Sequence, residues 1–227
     1  MKRRIFLFCI MSVILVLLLA GCEEGNKYEI DDQVYIDLIV NTDSGEVDCT
    51  ITRNYGGVEI LVNGQELLFH GSDVAGKRSK GEISGLKEAD NVDVNISLPS
   101  EGTISETINV PGSPDEIKIA GDLGELLKGN ESQVRLSWEE VNCNKYTLFI
   151  EKEKGDIIYS ASRMTEDNKL ILYKDDLQIK KGETTFETPD KVTLYLYGTN
   201  EIIRKTPSVE IRILVFSPDK AEEIITE

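Results

Sequence analysis

The residues best placed to do chemistry stand between positions 70 and 78. Gly71, Gly76 and Lys77 keep the spacing of a phosphate-binding loop, G-x-x-x-x-G-K-[ST], in which backbone amides cradle phosphate and the last hydroxyl holds magnesium. Arg78 stands where that hydroxyl belongs. The segment follows a hairpin pattern and does not lead from a strand into a helix, so the helix dipole that attracts phosphate is missing. It reads as a flexible loop, and no nucleotide is expected. Lys77, Arg78 and Lys80 also offer a small basic patch for an acidic partner. His70 is the only histidine. Ser72 and Asp73 stand beside it, but triad members come from separate elements, and one histidine excludes multi-histidine zinc sites. It reads as a turn residue.

The carboxylates are abundant, but their spacing is poor for catalysis. Asp31/Asp32 and Asp175/Asp176 are neighbours in sequence, and neighbours on a strand point to opposite faces. Asn41-x-Asp43-x-Gly45 echoes a calcium loop without its first Asp or its distant Glu, and residues 88–93 offer further oxygens at a module end. Both read as solvated turns. Tyr195 and Tyr197 share one strand face. Exposed, they would form a sugar platform; buried, they would be sandwich core. No catalytic residue, cofactor-binding residue or metal ligand is assigned, no cofactor is expected, and the chain reads as a non-enzyme.

Of four cysteines, Cys22 has the most telling surroundings. Lys2, Arg3 and Arg4 precede an apolar run over 5–19 broken only by Ser12, the layout of an export signal. A membrane-spanning helix needs about 20 apolar residues, more than this run supplies. Leu19-Ala20-Gly21-Cys22 then resembles the lipobox of bacterial lipoproteins at all four positions. The resemblance implies cleavage between Gly21 and Cys22, a diacylglycerol on the Cys22 sulfur and acylation of the new amino terminus. Several acyl chains hold a protein on a membrane where one, at about 0.8 kcal/mol per methylene, does not. Residues 1–21 are thus read as signal peptide and 22–27 as a lipidated tether. The expected location is the cell membrane or outer membrane, facing the extracytoplasmic side. Glu23 stands where an Asp would signal inner-membrane retention in some bacteria.

Charge narrows the partners. The chain carries 25 Lys+Arg against 41 Asp+Glu, net −16. Losing Lys2, Arg3 and Arg4 leaves 22 against 41, net −19. Such a surface repels phosphate backbones and anionic headgroups, so nucleic acid is excluded as a partner. After removal of the signal and lipidation of Cys22, Cys49 and Cys143 remain, one in each half. Cys49 alternates with Val47 and Ile51 and reads as a small core hydrophobe; pairing with Cys143 would have to cross the domain boundary.

The rest of the chain must position whatever does the binding, and its period is two almost throughout. Val34, Ile36, Leu38 and Val40 share a face, as do Val47, Cys49 and Ile51. Asn63-Gly64 suits a two-residue hairpin turn pairing Ile60 with Leu67. Residues 92–98 and 103–110 continue the alternation, and this first module, 28–111, looks similar to bacterial immunoglobulin-like domains. Residues 112–114 form a linker closed by Pro114, extended and fairly stiff after Pro111. The second module, 115–217, resembles the fibronectin type III family through Leu136 and Trp138 on its second strand, Tyr146 opening the third and Thr193-Leu194-Tyr195-Leu196-Tyr197 as the sixth. The resemblance implies a seven-stranded sandwich with Trp138 in its core. Residues 168–188 depart from the pattern, with an extra strand-like run at 170–173. The charged turn at 151–156 is expected to blunt a sheet edge, and 218–227 reads as an acidic tail. The expected fold is all-β, two tandem immunoglobulin-like and fibronectin type III-like sandwiches. The expected function is a membrane-anchored binding or scaffolding module for a protein or surface partner. Solute or glycan binding is the alternative, and an extracytoplasmic hydrolase is third.

Overall fold

Alternation decides where each strand sits. The structure, a computed structural model, describes residues 33–52, 56–69, 76–181 and 185–226. The signal segment, Gly21, Cys22 and the tether lie outside these residues. The chain runs through β1 (Val34–Asn41), β2 (Glu46–Ile51), β3 (Glu59–Val62), β4 (Gln65–Glu66) and β5 (Lys77–Glu82). After a 3-10 turn at Leu86–Glu88 come β6 (Asn91–Leu98) and β7 (Gly102–Asn109). Next are β8 (Lys118–Ala120), a short helix Leu123–Lys128, β9 (Gln133–Ser137), β10 (Lys145–Lys154), β11 (Ile157–Thr165) and β12 (Lys169–Tyr173). A one-turn helix Lys174–Leu177 leads to β13 (Ile179–Lys181), β14 (Thr185–Glu187), β15 (Lys191–Lys205), β16 (Val209–Phe216) and β17 (Ala221–Thr226). Among the described residues no helix is long and apolar enough to cross a membrane.

The fold is all-β, built as two sandwiches. In the first, the sheet β4-β3-β6-β7 faces a sheet formed by β5, β2, β1, β16 and the end of β15. β1 lies parallel to β16, with Ile36 beside Ile211, Leu38 beside Ile213 and Val40 beside Val215. All six are fully buried, each contributing about 1.5–3 kcal/mol on removal from water. The β3–β4 turn falls at Asn63 and Gly64, both with positive φ (47° and 75°), as a two-residue hairpin of this kind requires. The Leu67 amide donates to the Ile60 carbonyl at 2.9 Å, the expected register.

The second sandwich sets β12-β9-β8 against β11, β10, β15 and β17. Its core includes Leu136, Leu148, Ile150, Leu172, Leu194 and Leu196, closed by Leu126 and Leu127 of the helix Leu123–Lys128. Asp122 caps that helix by accepting from the Glu125 amide at 3.0 Å. Trp138 is buried in the same core, tilted against Tyr146 at a centroid distance of 5.3 Å. The run at 170–173 is the β12 strand of the three-stranded sheet, so it completes the sandwich; the true addition is the separate hairpin β13–β14.

The chain's end departs from expectation in two places. β16 lies inside 115–217, yet Val209, Ile211, Ile213 and Val215 pack into the first core. The sandwich strand in its place is β17, within the expected acidic tail at 218–227: it pairs with β15 and buries Ala221 and Ile225 in the second core. Alternation tells that a strand is half-buried; it cannot tell in which of two cores. β15 explains the exchange. Its fifteen residues pair with β10 over 191–199 and with β16 over 199–205, a span of about 50 Å at roughly 3.3 Å per residue. One long strand serves both sandwiches, and residues 34–227 form one compact unit.

Gly198 marks the crossing. Its amide donates to Ser217 Oγ at 3.2 Å, and its carbonyl accepts from the Ser217 amide at 2.9 Å. The linker lies against it: a Cβ at 198 would meet the Gly112 carbonyl oxygen far inside contact distance. Pro111 and Pro114 are buried, the Gly112 amide donates to the Asn142 carbonyl at 3.1 Å, and Ser113 Oγ accepts from the Asp219 amide at 3.1 Å. The linker is a packed element of the joint.

Candidate functional site

Sharing β15 gives the molecule one continuous outer face. On β15, Leu194 and Leu196 point into the second core, so Tyr195 and Tyr197 point the other way. The pair therefore lies outside the sandwich core, over the joint. Tyr197, Phe149 of β10 and Phe216 of β16 form a three-ring cluster with centroids 5.8, 5.6 and 5.5 Å apart. Tyr197 is only 6% exposed, which leaves no open pair of rings for a sugar. Lys220 closes the cluster's edge, 4.7 Å from the Tyr195 ring centre, with its ammonium 3.4 Å from Asp43. Burial pushes both tyrosine phenols above their ordinary pKa. It also opposes the charge on Lys220, yet Tyr197 and Asp43 hold that ammonium above its usual value.

A charged relay crosses the same face. The Glu201 side chain, 6% exposed, accepts from Lys145 and from Arg212 Nε, the latter at 2.6 Å. Burial alone would raise its pKa, but these two cations lower it overall. Arg212 Nη2 also donates to Met164 Sδ at 3.1 Å, and the buried Thr147 and Thr199 hydroxyls meet at 2.8 Å. Beside the relay opens a cavity of about 260 Å³ lined by Asp37, Ile39, Thr50, Arg212 and Leu214. Tyr35, Ile39 and Ile203 expose 37–44% of their surface around it. Apolar projections around a fixed ion-pair centre suit recognition of another surface.

The residues singled out from sequence are scattered. His70 and residues 71–75 lie outside the described residues. Gly76 leads directly into strand β5, so no helix N-terminus follows it. The basic patch is countered by β2: Arg78 pairs with Asp48, and Lys80 lies 3.5 Å from Glu46. Asn41 Oδ1 accepts from the Asp43 and Ser44 amides at 3.0 and 3.2 Å, which makes this stretch a self-bonded turn. Asp93 accepts from the Thr107 hydroxyl, and Asp176 holds Arg163 at 2.9 Å. Among the described residues no three His, Cys, Asp or Glu side chains converge as a metal site would require. Cys49 and Cys143 are both free thiols. Burial, then Asp48 and Asp37, push Cys49 up to about 12.

Two further cavities lie away from the joint. One of about 410 Å³ is lined by Ser44, Gln65, Glu82, Ser84, Lys87 and Glu88. The other, about 470 Å³, is lined by Arg135, Arg163, Lys169, Ile171 and Tyr173. Sequence reasoning missed the Glu201 relay and this second cavity, whose lining also includes Asp167. The signal for the relay was Asn200-Glu201 interrupting the middle of a long strand pattern.

No family model and no curated protein matches the chain. Solved structures that match include the FN1–FN3 domains of chicken CNTN1, at 12% identity and a TM-score of 0.28 over 84% of this chain. The chain spans 64% of that fragment's length. A two-domain fibronectin type III segment of chicken tenascin matches at 9% identity and a TM-score of 0.30, covering 81% of this chain and 93% of that one. A cytokine receptor complex matches at 8% identity and a TM-score of 0.27, covering 84% and 95%. With likenesses this distant, the assignment of fold rests on the sheets themselves.

Proposed function

We propose that the chain is a lipid-anchored, non-enzymatic binding module of the bacterial cell envelope, cut after Gly21 and held on the membrane by acyl chains on Cys22. Its body would stand on the extracytoplasmic side and present the outer face of the shared sheet to a protein partner. The carrying observation is β15, which pairs in both sandwiches and fixes their faces in one plane of recognition. Two bodies on a loose tether lose orientational freedom on binding; two bodies sharing a strand have already lost it, which lowers the cost of association. The exposed Tyr35, Ile39 and Ile203 and the desolvated Glu201 centre supply apolar contact and register. The anchor is tested by growing cells on a labelled fatty acid: label should appear on the wild-type chain and vanish with Cys22→Ser. Binding is tested by cross-linking on intact cells, where Ile39→Glu with Ile203→Glu should abolish capture of the partner. A Cys22→Ser protein that keeps its label, or capture that survives the double substitution, refutes the corresponding half.

A further inference from the structure

The two end strands of the large sheet's main path are built differently. β5, at one end, carries Lys77, Arg78, Lys80 and Glu82 in six residues, the usual protection against a foreign strand. β11, at the other end, has nine residues with one charge, Arg163, and no proline. The charges expected to blunt this edge sit instead at the strand ends of the β10–β11 turn: Glu153 holds Lys191 at 2.9 Å and Lys154 holds Asp190 at 2.5 Å, both tying β10 inward. Arg163 is likewise drawn inward, onto Asp176 and the Ile171 carbonyl.

The other edges are shorter, and β12 has five residues. β4 has two residues and β8 three, and β17 carries Glu222 and Glu223. β7 has eight residues, polar on its exposed side, with Glu106 held by Arg204 of β15 and the Asn109 carbonyl accepting from Asn200. Among the described residues β11 is the longest sheet edge, and its run of backbone donors and acceptors stands beside exposed apolar side chains, Ile157 at 56% and Ile158 at 61%.

We infer that β11 pairs with β11 of a second copy of this chain, antiparallel about a twofold axis at Ala161. An antiparallel twofold passes through a residue opposite itself, and centring it on Ala161 engages all nine residues. That register is self-complementary: Ile158 faces Met164, Tyr159 faces Arg163 and Ser160 faces Ser162. Ile158 and Met164 lie on the sheet's outer side, on the same side as Phe149, so the pairing extends the recognition face across both copies. A one-residue slip would set Ile158 against the other side of the sheet. The net charge of −16 per copy opposes association at long range, whereas the strand contact is nearly neutral. Added salt therefore strengthens the dimer, the reverse of a contact made by opposite charges. The inference does not depend on the lipid anchor.

The test is sedimentation of the full chain in detergent, with cysteine capture. Mass should double with rising concentration, more readily at high salt, and Ile158→Lys should weaken the dimer about tenfold because the Ile158–Met164 pair occurs twice. In a Cys143→Ser background, Ala161→Cys should be trapped as a dimer under mild oxidation, since opposed strand residues stand about 4.5–5.5 Å apart, within disulfide reach. Ser160→Cys should link to Ser162→Cys in a mixture and not to itself, with the bond mapped by mass spectrometry. A monomer at every concentration overturns the inference. So does a dimer that Ile158→Lys leaves intact or that Ala161→Cys fails to trap.

Discussion

Replacing Gly198 with alanine tests whether the two sandwiches are locked at their joint. The new Cβ would overlap the Gly112 carbonyl oxygen and sit 3.4 Å from Val141 Cγ2. An ordinary carbon–oxygen contact is about 3.3 Å or longer, so the linker must retreat by more than an ångström. Overpacking of this kind costs about 1–3 kcal/mol. The retreat also strains the Gly112–Asn142 and Ser113–Asp219 bonds, each about 0.5–1.5 kcal/mol. Against this, alanine in a strand recovers about 0.4–1 kcal/mol of chain entropy. The balance is a loss of about 2–4 kcal/mol, or a Tm lower by roughly 5–15 °C for a body of this size. Gly81→Ala is the control, because nothing lies within 4 Å of its Cβ position and its φ is not positive; it should leave Tm unchanged or slightly raised. The assay follows thermal unfolding by far-UV circular dichroism, which reports both sandwiches, and by fluorescence of Trp138, the only tryptophan, which reports the second. Both signals should fall together in wild type, since β15 threads both cores. A Gly198→Ala protein as stable as wild type, or two separated transitions in wild type, would refute the locked joint.

The Glu201 relay makes stability depend on acid. Its folded pKa lies below the ordinary 4.5, so its contribution is complete above that value and disappears as pH falls through the lower, folded one. Glu201→Gln should cost about 1–3 kcal/mol at neutral pH and flatten the fall of urea midpoints as pH drops below 4.5; an unchanged acid profile would show that the relay does not stabilise the fold. The thiols should differ sharply. With its thiol at about 12 and no exposed surface, Cys49 should resist alkylation at pH 8 until the protein unfolds, while half-buried Cys143 reacts, as read by peptide mass mapping. Equal labelling of both in the folded state would contradict the first core.

What the sequence made legible follows from the reach of each signal. Alternation at Val34, Ile36, Leu38 and Val40 reports a wet and a dry face within a few residues, and Asn63-Gly64 reports its turn by backbone sterics alone; both appear as read. Tyr195 and Tyr197 show where such local reasoning ends. Their shared face is written in the chain, but whether it meets a core, a neighbour or water depends on Phe149 and Phe216, 48 and 19 residues from Tyr197. The same holds for β16 and β17. Each is an ordinary half-buried strand, and the choice of which enters which sandwich is made by β15, whose length exceeds what one sandwich needs. Length was the unused clue. The segment from 191 to 205 keeps strand-like composition for fifteen residues, charged at its ends and interrupted in its middle by Gly198, Asn200 and Glu201, and those three are the residues that build the joint: Gly198 admits the linker, Asn200 reaches the first sandwich at Asn109, and Glu201 gathers Lys145 and Arg212. In a strand too long for one domain, the residues that break the apolar pattern are therefore the ones to read as the junction.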